Sequence, residues 1–581
     1  MRKLSLFALL LSSAAAAPAL AQDAPAGAPP AATEAPPAAP AAASPPAAAA
    51  PAAPAEKKKH GGGPGLGLDP TVPQSGAILV SPVEVVAPPE ENTSSEWKFD
   101  VTGYFRAPLR MSWGPPHNPD PNTGPGGVTK TDAGTQYRTP ALVPDGNYID
   151  WRYTNSMVGP WTELNFHYGN SRVKATVQIA SYNLTDAGYR RLESNLGINQ
   201  SFLSINWPEL LDDNSRFTLT VGGFTNRYGA AGRYDGGKYE TYLFGRTHIA
   251  GETGTFEYDL NDMTLSVEEG FGGKLEPIPF LGPPTDPRQN LAFNPFPGPK
   301  AQESTFVAHI HGGVSYKKQV MIGLHYIDTF ANDNERAGGY RANPTPFDGA
   351  RPSSIGAPHI IIYGAEVKWL TALFGDGYLG YAHLDAKNAE YLADAIETIH
   401  SFGGWQLHDN YFGPPGGTNA TTGKIDTILF QEVFSFGQLF RYPQAFWGDG
   451  PDLIGSLFGM WNKVSGSTDP GSNHSRLKAG AELTYIPISW LGVGGRYDLV
   501  DVNTSDSNSN FSVFSPRVIL RSNFVTHEQI LIQYSRYFYG ANAAVSQFPY
   551  NGGMSVYPYN AAGQAVGADK NAFTIAAIIW F

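Results

Sequence analysis

The chain has 581 residues, a formal net charge of −12 and no cysteine. The acidic balance speaks against nucleic acid as a partner, and the missing thiols remove disulfides, thiolate metal sites, cysteine nucleophiles and a lipidated cysteine anchor. Charged residues make up 16% and aromatic residues 12%, where soluble domains carry about 25% charge.

Arg2 and Lys3, the apolar run Leu4 to Leu11 and the small-x-small trio Ala19-Leu20-Ala21 read as a secretory signal peptide over residues 1–21, with Gln22 as the expected mature start. Residues 22–96 form the next expected unit. As far as about residue 56 they are Ala and Pro almost throughout. Such a stretch buries no core and is expected to stay disordered or extended as polyproline II. Lys57-Lys58-Lys59 and a Gly-rich patch follow. The unit reads as a periplasmic spacer, with a tether touching peptidoglycan as the alternative. Ile78 to Val86 is a brief β-prone island. It is similar to the coupling peptide of energy-driven outer-membrane receptors, but there is no room before Trp97 for the globular plug of those receptors.

From Trp97 onward, residues 97–581, the pattern has period two. Trp97, Phe99, Val101, Gly103, Phe105, Ala107, Leu109, Met111 and Trp113 share one face, while Lys98, Asp100, Thr102, Tyr104, Arg106 and Arg110 share the other. One face suits lipid and the other water. Leu164, Phe166 and Tyr168 then alternate with Glu163, Asn165 and His167. After a turn at Gly169 to Arg172, Val173, Ala175, Val177 and Ile179 alternate with Lys174, Thr176 and Gln178. Keeping the apolar sets together predicts His167 opposite Lys174 and Glu163 opposite Gln178.

The unit recurs around Asn261-Asp262, Lys317-Lys318, Pro487 and residues 523–527. Between these hairpins lie long segments rich in Gly, Pro, Asn and Asp, at 114–159, 225–254, 272–303, 331–357, 387–422 and 540–570. Short turns alternating with long loops are the layout of an outer-membrane barrel. No apolar run after the signal peptide is long enough for a membrane helix. The expected fold is all-β: a transmembrane antiparallel up-and-down β-barrel of about 18 strands, with 16 as the alternative count. Segments 145–155, 423–440 and 451–465 are the ambiguous ones. The last strand alternates Phe573, Ile575, Ala577, Ile579 and Phe581. It resembles the C-terminal signature read by the barrel assembly machinery.

On these grounds residues 97–581 resemble the large porins of Gram-negative bacteria, in the 16- to 18-stranded class. The resemblance rests on architecture and names no subfamily. It implies a place in outer-membrane lipid with both chain ends in the periplasm, passage of small hydrophilic solutes, and a homotrimer. Strand parity nominates lumen-facing residues: Arg106, Arg110, Glu163, His167, Lys174, Glu268, His309, His311, His325, Glu366, Glu482, Arg496, Asp498, Arg517 and Arg521. Some would form a constriction of basic against acidic side chains and others would only fill the wall. Their mixed signs leave ion preference open. His309 is expected opposite His325, and with no third ligand or second shell in view, neither metal nor cofactor is expected.

Asn388 to His400 has helical spacing and reads as a short helix in a loop, near Trp405, Tyr411, Phe412 and Trp447. Such aromatic residues would stack on sugar or sit at a membrane interface. The leading function is a porin and not an enzyme, because no Ser and His meet in an obvious joint setting. The alternatives are a sugar- or polysaccharide-selective channel or exporter, an envelope anchor and a barrel enzyme.

Overall fold

A computed structural model of the chain describes residues 96–117, 162–182, 195–227, 246–273, 278–279, 305–317, 319–331, 359–371, 375–388, 422–436, 451–467, 473–488, 490–501, 503–508, 510–522, 527–540 and 568–580. The described strands are β1 (Lys98–His117), β2 (Thr162–Gly169), β3 (Val173–Tyr182), β4 (Asn195–Pro208), β5 (Ser215–Arg227), β6 (Arg246–Leu260), β7 (Met263–Gly273), β8 (Ile278–Pro279), β9 (Thr305–Tyr316), β10 (Val320–Ala331), β11 (His359–Thr371), β12 (Gly375–Lys387), β13 (Gly423–Ser435), β14 (Asp452–Ser465), β15 (Ser475–Ile488), β16 (Leu491–Asp501), β17 (Asn510–Ser522), β18 (His527–Tyr539) and β19 (Ala568–Trp580). The ambiguous segments near 423 and 451 are strands, β13 and β14. The expected signal peptide and Ala/Pro unit, residues 145–155, the 389–400 stretch, Trp405, Tyr411, Phe412, Trp447 and Phe581 lie outside the described residues.

Apart from the short β8, each strand pairs antiparallel with the next, and β7 pairs directly with β9. One edge of β1 meets β2 from Lys98↔Gly169 to Phe105↔Thr162. Its other edge meets β19 from Tyr104↔Trp580 to His117↔Ala568. The ring is therefore closed by every strand except β8, which makes 18 in the wall. The two-residue β8 instead pairs with Gly197 and Ile198 of β4. Closure matters because an unpaired strand edge is intolerable in a medium without water. A 13-residue strand such as β17 runs roughly 44 Å, enough to cross a hydrocarbon core of about 30 Å at a tilt of about 40°.

The hairpin turns explain both the success and the error of the sequence reading. Asn261-Asp262 is the predicted two-residue turn, with Leu260 paired to Met263 and Asn261 at φ 54°. The first hairpin pairs two residues away from expectation: His167 faces Thr176, Asn165 faces Gln178, and Glu163 faces Ala180. The cause is Asn170, whose side-chain oxygen accepts from the backbone N–H of Arg172 and Val173, so the chain reverses one residue later. Likewise His309 faces Ile327, and it is His311 that faces His325. There the turn takes three residues, 317–319, with Lys317 at φ 51° and Tyr316 paired to Val320. The turn expected at Pro487 falls at 489–490, and the register shifts between Tyr485 and Ile488. In the β2–β3 and β9–β10 hairpins the register moved by two residues, so the faces remained as predicted.

Connections at one end of the ring are short, at 170–172, 209–214, 261–262, 317–319, 372–374, 489–490 and 523–526; the exception is 436–451. Most at the other end are long, including 118–161, 274–304, 332–358, 388–422 and 540–567. The outer face is mainly apolar. On β10, Ile322 is 57% and Leu324 63% exposed, while Met321 and His325 on either side of them are 4% exposed. Near the short-turn end Trp97 stacks on Tyr168 and Trp207 on Phe217, with Tyr316 and Trp490 also exposed. Trp113 lies beside Tyr534 nearer the long-loop end. Aromatic side chains near both rims fit the two interfaces of a bilayer.

Candidate functional site

The inner face carries the candidate chemistry, and the ring gathers it into two arcs. The first arc lies on β15, β16 and β17. Pairing sets Glu482 beside Arg496 and Arg496 beside Ser515, while Arg517 and Arg521 stand beside Gln533 and Gln529 of β18. Arg496 Nε donates to both carboxylate oxygens of Asp498 at 3.0 Å. Arg517 Nη1 donates to Glu482 Oε2 at 3.2 Å, with Arg496 Nη1 at 4.0 Å from the same oxygen. Thr484 donates to the other oxygen of Glu482 at 3.3 Å. The Arg496 guanidinium also lies over the Phe458 ring, 4.6 Å from its centroid. Gly480 makes that stacking feasible, since a Cβ there would run into the Phe458 ring and approach Asp498.

These ions are buried, from 1% exposure at Arg496 and Asp498 to 6% at Arg521. Burial forces pairing, because an isolated charge out of water costs several kcal/mol. Arg476 and Lys478, buried on the same face of β15, were missed by the sequence reading. Their even numbering, shared with Glu482, was the available signal. Together the arc holds five cations against the two carboxylates of Glu482 and Asp498.

The second arc spans β7 to β11. His309 Nε2 lies 3.2 Å from Glu268 Oε1, and Asn226 donates to that oxygen at 2.6 Å. Thr255 donates to Glu268 Oε2 at 3.0 Å. One strand pair further, His311 Nε2 lies 3.1 Å from Glu366 Oε1, and Tyr378 donates to Glu366 Oε2 at 3.3 Å. His325 stands directly across from His311, and Lys368 lies on the same face of β11 as Glu366. Between the arcs, the inner faces of β12 to β14 are mainly apolar, with Ala382, Leu384, Ile425, Leu429, Phe458 and Met460 buried.

The remaining nominated residues lie apart. His167 is buried on β2, with Nδ1 at 3.0 Å from Thr176 Oγ1 and Nε2 at 3.3 Å from Thr102 Oγ1. Beside it, Asn165, Gln178 and Gln200 form a chain of amide hydrogen bonds at 2.8 and 3.0 Å, which the sequence reading did not single out. Lys174 sits at the start of β3, facing Gly169. The side chains of Arg106, Arg110 and Glu163 lie outside the described residues. Among the described residues no group of three or more His, Asp or Glu is arranged to hold a metal ion.

The fold is the antiparallel up-and-down β-barrel that the sequence predicts. No protein-family model matches the chain, and no curated protein matches it. Solved structures that align with it include the outer membrane channel DcaP of Acinetobacter baumannii, at 9% identity and a TM-score of 0.35 over 84% of this chain and 99% of that one. OccD3 of Pseudomonas aeruginosa aligns at 10% identity and a TM-score of 0.34 over 89% and 99%. An anion-selective porin from Comamonas acidovorans aligns at 10% and 0.31 over 84% and 100%. Scores this low say nothing about the solute of this chain. Its barrel rests on its own strand pairings, and its chemistry on its own side chains.

Proposed function

We propose that this barrel is a porin of the Gram-negative outer membrane, letting small hydrophilic solutes diffuse passively past a charged inner wall. One observation carries the reading: the closed ring of 18 strands sets a mainly apolar face outward and gathers buried ion pairs on its inner face. A ring of this size leaves a lumen instead of a packed core. Lipid covers the outer face without penalty, whereas a soluble protein with so large an apolar surface would aggregate. The two charged arcs, with five cations on one and carboxylates and imidazoles on the other, impose an uneven field on a solute passing between them. In this reading the short-turn end and both chain ends lie in the periplasm, and a trimer is the assembly that the porin resemblance implies.

The test is single-channel recording of the purified, refolded protein in planar bilayers. Stable steps with a linear current–voltage relation are expected, and added sugars should leave them unblocked. Folded protein that inserts and never conducts would overturn the reading in favour of an envelope anchor or an enzyme. Block by sugars would move it to a carbohydrate-selective channel.

A further inference from the structure

We infer that the outward face of β12, β13 and β14 docks the phosphorylated headgroup of an outer-leaflet lipid, held by Lys387, Lys424 and Lys463. The inference rests on the membrane setting of the reading above, and it concerns the surface that no solute meets. The three lysines are exposed and sit near the long-loop ends of their strands.

They form a row. Asp385 and Ser465 stand directly across from Lys424. Lys387 and Lys463 are therefore its diagonal neighbours, about 7–8 Å away. Each of the three lies almost equally far from the short-turn end of its strand, so three ammonium groups share one height. Like charges this close repel, and a phosphate set between two of them turns that repulsion into attraction.

The residues beneath fix that height against a bilayer. Leu324 of β10, Leu379 of β12, Ile428 of β13 and Leu457 of β14 are exposed in the apolar band. Tyr326, Tyr363 and Tyr381 follow toward the long-loop end, 40–47% exposed. Tyrosine is enriched where hydrocarbon gives way to headgroups. On β12 and β13, Asp385 and Asp426 come next and the lysines last. The carboxylates are engaged from below and from the side. Asp426 Oδ1 accepts from the Tyr381 hydroxyl at 2.7 Å and lies 2.8 Å from His383 Nδ1, and the His383 ring packs 5.0 Å from that of Tyr363. Asp385 accepts from Lys424 at 2.9 Å and braces that side chain. An ammonium has three donors, so this pairing leaves two for headgroup oxygens. Asp328 of β10 and His359 of β11 share the outward face farther round the wall. A headgroup therefore meets the ammonium row before it meets the carboxylates, which suits a phosphate.

Native mass spectrometry of the purified protein, folded in detergent, tests this with bis-phosphorylated lipid A as the probe. The barrel should retain lipid A, and should retain the same lipid stripped of its phosphates about tenfold less. The triple variant Lys387→Gln, Lys424→Gln, Lys463→Gln should lower lipid A retention by a similar factor. Each single Gln variant should lose part of it, which keeps the test decisive if the triple variant does not fold. Lys317→Gln, at the short-turn end, should change nothing. Equal retention of the two lipids, or undiminished retention by the folded variants, would overturn the inference. Inorganic phosphate binding as tightly as lipid A would overturn it in favour of a site for free anions. Variants that break up an assembly while keeping their lipid would assign the face to a second copy of the chain. Conductance of the same preparation in planar bilayers is the separate check: its absence, with lipid A still retained, would sink the porin reading and leave this docking surface standing.

Discussion

Glu482 is held by two guanidiniums, and its side chain and that of Arg517 are each 1% exposed. Removing a partner from a buried ion group strands the others, so Glu482→Gln should cost roughly 3 kcal/mol of stability. Urea titration of the protein folded in vesicles would measure it; an unchanged midpoint would mean that water reaches the arginines. By contrast, Asp262→Ala at the exposed turn, which loses only the Lys317 pair, should leave the midpoint where it was. The residues of both arcs were legible in the sequence as a parity class, because a strand alternates strictly and a nominated face survives any even slip. Which residues meet was not legible. His311 opposite His325, Arg517 on Glu482 and the Phe458 ring over Gly480 all depend on register and on neighbouring strands. Only the turns, through details such as the Asn170 side chain, fix that register.

At the scale of a strand, β10 separates lipid from lumen by single residues. Leu324 is 63% exposed on the outer face and flanked by Gly323 and His325 on the inner. If that face meets acyl chains, Leu324→Arg should cost about 2–4 kcal/mol in a bilayer, falling toward zero near the rims. Reversible unfolding from vesicles would show it, and a neutral effect would mean the face is wet. The hairpins were the most legible elements, since Asn261-Asp262 carries its own turn chemistry and the flanking strands alternate cleanly. The strands β13 and β14 were harder to bound. Their inner faces, with Ile425, Leu429, Ile454, Phe458 and Met460, are as apolar as their outer ones, so the period-two contrast fades where the wall between the two charged arcs is greasy on both sides.

For the whole molecule, the decisive contact is the seam between β1 and β19. Met111 pairs with Phe573 there, and the chain has no cysteine of its own. Cysteines placed at these two positions should therefore oxidise to one disulfide that locks the ring. On a gel without reductant the locked chain should migrate as a compact species even after boiling. No crosslink under oxidation would mean that the ring is open at this seam. The number of strands was legible because hairpins could be counted, but closure was not, since nothing in β1 or β19 alone names its distant partner.

That seam also governs how the protein comes to exist. The side-chain amide of Asn571 donates to the carbonyl of Trp113 at 3.1 Å across 458 residues of chain. Bringing two points so far apart together costs about 5 kcal/mol in chain entropy alone, before any pairing offsets it. Such a contact makes folding slow. The first strand waits for the last, with greasy side chains and an unfinished edge on show throughout. A barrel of this design keeps its apolar face and its unfinished edge on show until all thirteen residues of β19 are in place.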